Sequence, residues 1–179
     1  MNHTHPRPLP VTAPESERLQ RHQEVSESLN ALLDGEDDWI SALCTVVCEL
    51  HHAFEYFHWT GVYRVHPHGH PELIVGPYQG SHGCLRIAFE RGVCGAAARE
   101  RKTIRLDDVH TFPGHIACSS STVSELVIPI LTPEDELLGV LDLDSDHPAA
   151  FTAADQTALE SLCRALGGRF AEGAPRYVF

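Results

Sequence analysis

SELVIPILTPEDELLGVLDLD, residues 124–144, decides the fold. It reads as two strands, Ser124–Leu131 and Glu136–Asp144, joined by a turn around Pro133–Asp135. Strands connected through so short a turn pair antiparallel. Upstream, His58–Val65 is rich in β-branched and aromatic residues, and Glu72–Tyr78 returns after the turn HPHGHP, so a second hairpin is expected. Between the hairpins lie the Gly-rich connection QGSHGC, a short strand at Leu85–Phe89, a helix at Val93–Glu100 after Gly92, and an extended piece at Thr103–Leu106. The polar segment from Asp107 to Val123 is long for a compact domain, and long loops of that kind carry function or disorder.

Helices bracket the strands. From Ser16, Leu19, Val25, Leu29, Leu32 and Leu33 fall near one face until Gly35 ends the run. Asp37 or Asp38 then caps a helix over Trp39–Phe54 whose buried stripe is Ile40, Leu43, Val46, Val47 and Leu50. The last helix spans Thr152–Phe170, opened by Thr152-x-x-Asp155, a capping box with Asp in place of Glu. This order predicts an α+β fold, a central antiparallel β-sheet flanked by helices. The first and last helices are expected side by side, where they can form a dimer surface. Residues 1–14, rich in Pro and His, read as a mobile arm, and 15–179 as a single domain.

Composition excludes several classes of function. With a net charge of −12, the chain lacks the clustered Lys and Arg that phosphates reward. Its two denser basic stretches, Arg18–Arg21 and Arg99–Lys102, read as solvated helix faces. There is no apolar run of membrane-spanning length and no secretory pattern, so a cytoplasmic protein with six reduced thiols is expected.

The cysteines fall into two groups. Cys44, Cys48 and Cys163 lie in apolar helical patterns and are expected to be buried; Cys44 and Cys48, with His51 and His52, form only a weak imitation of a zinc set. Cys84, Cys94 and Cys118 lie instead in GSHGCLR, RGVCGAA and GHIACSSS, where small neighbours admit another molecule. Cys94, near a helix start, is expected to have the lowest thiol pKa of the three. His82, His110 and His115 are near this group in sequence. A nucleophile, a resolving thiol and a third thiol are the parts of a disulfide-forming reductase.

Acids and aromatics complete the candidate set. Asp142 and Asp144 alternate with Leu141 and Leu143, so both carboxylates share the face opposite the leucines, with Glu125 on the preceding strand. Acids so placed repel, which raises a pKa toward the range useful for proton donation; the competing expectation is a solvated sheet face. Trp59 and Tyr63 share one strand face and are expected to wall a small apolar pocket or to pack in the core. His66, His68 and His70 read as an exposed turn, and no metal is assigned.

WTGVYRV, GPYQGSHGCLRIAFERGVCGAAA, DVHTFPGHIACSSSTVSELVIPI and LLGVLDLDSD together resemble the free methionine-(R)-sulfoxide reductases, which are stand-alone GAF-domain enzymes. The resemblance covers about Leu29–Phe170 and implies a GAF-like fold and commonly a homodimer. It implies that Cys118 is the nucleophile, that Cys84 forms the disulfide with it, and that Cys94 is a third cysteine of open role. It places Glu125, Asp142 and Asp144 at the substrate and makes Trp59 and Tyr63 pocket aromatics. It further implies thioredoxin as reductant, NADPH as the electron source and no bound cofactor. The loop residues Ser81–Gly83 and Ser119–Ser121 depart from the family's text without touching these positions. Two rival expectations are a GAF small-molecule sensor without turnover and a general redox switch lacking epimer selectivity.

Overall fold

The computed structural model describes residues 7–114 and 120–177. Its elements are α1 (Glu15–Leu32), α2 (Trp39–Ala53), β1 (Trp59–Val65), β2 (Glu72–Gln79), β3 (Arg86–Ala88), α3 (Gly92–Glu100), β4 (Ile104–Leu106), β5 (Ser124–Leu131), β6 (Leu137–Ser145) and α4 (Ala153–Arg169). The strands form one sheet in the order β3-β2-β1-β6-β5-β4, and every neighbouring pair is antiparallel. The architecture is therefore the α+β arrangement expected, with both hairpins present.

Period-two alternation sorts the strand residues between two cores. Val62, Leu126, Ile128, Leu141 and Leu143 face one way and pack with α1, α2 and α4. Tyr63, Val65, Leu73, Val127 and Val140 face the other way and are covered by Val93, Ala97 and Ala98 of α3. The sheet is thus buried on both faces, and a polar group on either one must find a partner.

Local chemistry sets the helix ends. Asp38 accepts from the Ser41 N–H at 2.7 Å and starts α2. Thr152 and Asp155 form the capping box of α4. Asp155 also organises the helical layer: it accepts from Arg18 Nη1 at 2.6 Å and the Tyr56 hydroxyl at 2.7 Å, and lies 2.8 Å from His22 Nε2. These contacts tie α1 to α4, so the first and last helices do lie side by side.

Several expectations fail here for identifiable reasons. Arg18 is not on a solvated face but is buried, its guanidinium over the Tyr56 ring and paired with Asp155. Residues 7–14 do not form a free arm: Leu9 is buried and exchanges backbone hydrogen bonds with Ala53 and Glu55, and Arg18 donates to the carbonyls of Val11 and Ala13. The remainder of the expected arm, residues 1–6, lies outside the described residues. Cys163 is buried, but Cys44 is exposed and Cys48 only half-buried, because α2 turns Leu43, Val46, Val47 and Leu50 inward and these positions fall on its outer side. Leu19, Leu32 and Ile40, placed on apolar stripes, are among the exposed large hydrophobics.

Candidate active site

The site is built on the α3-covered face of the sheet. Register explains why its acids meet. Asp144 on β6 stands opposite Glu125 on β5 and, across the other ladder, opposite Trp59 on β1. Two residues along, Asp142 stands between Val127 and Gly61. Asp142, Asp144 and Glu125 therefore project to one face, as the alternation predicts. That face is not solvated: Glu125 is 6% and Asp142 5% exposed. From above, α3 adds Cys94, and ligating atoms of Cys94, Glu125 and Asp142 lie within 4.8 Å of one another.

Three buried acids this close cannot all be charged. Burial pushes Glu125 well above the usual carboxylate range, and the charges of Asp142 and Asp144 push it further. Burial also raises Asp144, followed by the Asp142 charge, against a hydrogen bond from Thr122. Asp142 ionises most readily. Burial lifts it, but donors from Cys94, the Leu143 backbone and Glu125 hold it to about 7. The arrangement favours the carboxylate at Asp142 and the proton at Glu125, with Asp142 passing between its two forms around neutral pH. Among the described residues one oxygen of that carboxylate, Oδ1, is buried without a hydrogen-bond partner, so it offers an acceptor to a cationic donor.

An aromatic stack walls the cluster. The Trp59 ring lies parallel to Tyr63 (centroids 5.6 Å apart, 21° between planes) and to Tyr78 (5.5 Å, 15°). Trp59 Nε1 donates to the Ser81 carbonyl at 3.0 Å and pins the loop that carries Cys84. Position 61 has to be glycine, because a Cβ there would run into the Trp59 ring and Tyr78 Cβ. Beside the stack, His58, Trp59, Ser81, Thr122 and Asp144 line a cavity of about 230 Å³.

Of the expected thiols, Cys84 is half-buried and disulfide-bonded, whereas Cys44, Cys48, Cys94 and Cys163 are free. The expectation for Cys94 is reversed. Burial, reinforced by the Asp142 and Glu125 charges, drives its thiol well above the ordinary value, and the position near the start of α3 does not offset this. Cys118 and His115 lie outside the described residues. His82 is exposed, and His110 pairs with Asp108 at 2.8 Å on the surface, so neither joins the acids. Sequence reasoning missed Tyr78 and Thr122. A register shift in the β1–β2 ladder between Gly61 and Tyr63 brings Tyr78 over Trp59, and no sequence periodicity carries that signal. Thr122 had one available signal, its place two residues before β5 in a hydroxyl-rich run.

Comparison with known proteins identifies the fold and the family. The GAF domain family matches residues 38–170. The free methionine-R-sulfoxide reductase of Escherichia coli is 34% identical over 145 residues, 81% of this chain and 86% of the relative. That of Saccharomyces cerevisiae is 36% identical over 141 residues, 76% of this chain and 78% of the relative. The substrate-bound structure of the Neisseria meningitidis free methionine-R-sulfoxide reductase superposes with a TM-score of 0.81 at 36% identity, covering 93% of this chain and 96% of the other. With a GAF domain over most of its length, this degree of identity and this superposition, the chain belongs to the GAF-domain family of free methionine-R-sulfoxide reductases.

Proposed function

We propose that this protein reduces free L-methionine-(R)-sulfoxide to L-methionine, with Cys118 as nucleophile and Cys84 as resolving cysteine. The observation that carries the reading is the placement of a buried, proton-holding acid cluster beside an aromatic wall and a disulfide-bonded Cys84.

The parts match the chemistry. A sulfoxide accepts a nucleophile at sulfur only when its oxygen is protonated, and Glu125, kept protonated by burial and its neighbours, is the donor. The Cys118 thiolate attacks sulfur. Methionine leaves as the S–O oxygen passes to Cys118, which becomes a sulfenic acid. The Cys84 thiol condenses with it, forming the disulfide and releasing water. A dithiol, thioredoxin, then restores both thiols by exchange and is itself oxidised, and NADPH supplies its electrons. No bound cofactor enters the cycle. That Cys84 is disulfide-bonded while four other cysteines are free supports its role as resolving partner.

Selection of a free amino acid follows from charge. Asp142, ionised and with an unpartnered oxygen, holds the substrate ammonium together with Asp144. Trp59 and Tyr63 receive the S-methyl group, so the wall selects one epimer at sulfur. We place the protein in the cytoplasm, with the described residues, 7–14 included, as one catalytic domain that pairs as a homodimer through α1 and α4. No helix of the described residues is long and apolar enough to cross a membrane.

The test is substitution at the two reacting thiols. Cys118→Ser is expected to abolish turnover with either dithiothreitol or thioredoxin. Cys84→Ser is expected to release about one equivalent of methionine and then stall with thioredoxin. An active Cys118→Ser enzyme overturns the nucleophile, and methionine sulfoxide binding without any turnover by the unaltered protein overturns the reaction in favour of a sensor.

A further inference from the structure

We infer that Cys94 serves this reaction as a positioning residue, a hydrogen-bond donor that orients the Asp142 carboxylate, and that it remains a thiol throughout the cycle. The inference rests on the reductase reading and gives the third cysteine a role outside the electron path.

Geometry supports it first. Cys94 sits at the start of α3, 4% exposed, among Val93, Ala97 and Ala98. The helix cannot shift easily, since Gly95 lies so close to β3 that a Cβ there would come 2.5 Å from the Ala88 carbonyl oxygen. This docking sets the Cys94 sulfur against Asp142 and Glu125, within 4.8 Å of each. From that position the thiol acts as a donor to Asp142, as the protonated Glu125 does, and both lower the Asp142 pKa against its burial. Asp142 is thereby held between two donors, which favours its charged form over those of its neighbours.

The surroundings also oppose a redox role. The groups facing the sulfur are Glu125 from β5, Asp142 and Asp144 from β6, and the Tyr63 hydroxyl from β1. All are acids, and among the described residues the leading influences on the sulfur are burial and these negative charges. A nucleophilic or relay thiol must pass through the thiolate, which this environment resists. Moreover, Cys94 is free in the same state in which Cys84 is disulfide-bonded, so it is not the partner in that bond.

The experiment compares Cys94→Ala and Cys94→Ser with the unaltered enzyme, reading methionine release against pH with dithiothreitol and with thioredoxin. A hydroxyl keeps a donor and a methyl does not. In Cys94→Ala, loss of the donor raises the Asp142 pKa, so the acidic limb of kcat/KM moves to higher pH. A shift of one unit costs about tenfold on that limb; Cys94→Ser restores most of it, and both variants keep their thioredoxin-driven recycling. Differential alkylation of the unaltered enzyme after one turnover should find Cys94 still reducible-agent-independent and free. Loss of recycling in both variants with an unmoved acidic limb, or Cys94 trapped in a disulfide during turnover, overturns the inference. An unaltered enzyme that releases no methionine overturns the reductase reading itself, which is a different result.

Discussion

At the residue scale, hydrogen bonding decides which of two equally buried acids ionises. Glu125 and Asp142 stand within 4.8 Å of each other, yet one holds its proton and the other gives it up near neutrality. The difference lies in hydrogen bonding: Asp142 accepts from three donors, whereas Glu125 spends its proton on Asp142. Glu125→Gln keeps the shape and removes the acid, so kcat is expected to fall by about 10²–10⁴-fold with KM little changed; an equal kcat in steady-state kinetics would move the proton donor elsewhere. The sign of the pH dependence follows from Asp142. It is raised to about 7, and the ammonium-binding role proposed for it requires the ionised form, so kcat/KM should rise as pH increases through about 7 and fall below it. Asp142→Asn should lose that limb. The sequence announced these acids through alternation alone. It could not announce the inverted state of Cys94, because helix position was visible and the three acids stacked against the thiol were not.

At the element scale, the strands were legible because each carries its own periodicity. The helical caps at Asp38 and Thr152 were legible because capping is local. Arg18 was not: its partner Asp155 is 137 residues away, and a lone arginine in an amphipathic helix looks solvated until that partner arrives. The same distance hides the role of Asp155 beyond its cap. Burial alone would raise its carboxyl, but hydrogen bonds from His22, the Thr152 backbone and Tyr56, with the Arg18 charge, outweigh it and hold the group at about 2, below the ordinary 3.8. A depressed carboxylate stabilises the fold fully above the unfolded pKa, and that contribution is lost as pH falls through about 4 toward 2. Asp155→Ala leaves Arg18 buried without its anion, and a loss of about 3–5 kcal/mol is expected in urea unfolding at pH 7. The deficit relative to the unaltered protein should shrink in acid; a constant deficit would mean packing, not charge. On β1, Gly61→Ala should displace the Trp59 ring and raise KM at least severalfold. An unchanged KM would separate the aromatic stack from the substrate.

At the scale of the whole molecule, the two faces of one sheet divide the labour. One face packs α1, α2 and α4 and is organised by the Arg18–Asp155–Tyr56 cluster. The other carries the acids, the stacked aromatics and α3. The sequence reading reached this division through the leucines of β6, which point to one core while Asp142 and Asp144 point to the other. The central claim is that the second face is a site for one small zwitterion, reduced at sulfur with one handedness. The measurement that tests it most directly supplies free methionine-(R)-sulfoxide and free methionine-(S)-sulfoxide separately, with thioredoxin, its reductase and NADPH, and follows methionine by chromatography. Methionine from the R epimer alone, with matching NADPH loss, is the predicted result; no methionine from either epimer, or equal amounts from both, would contradict it.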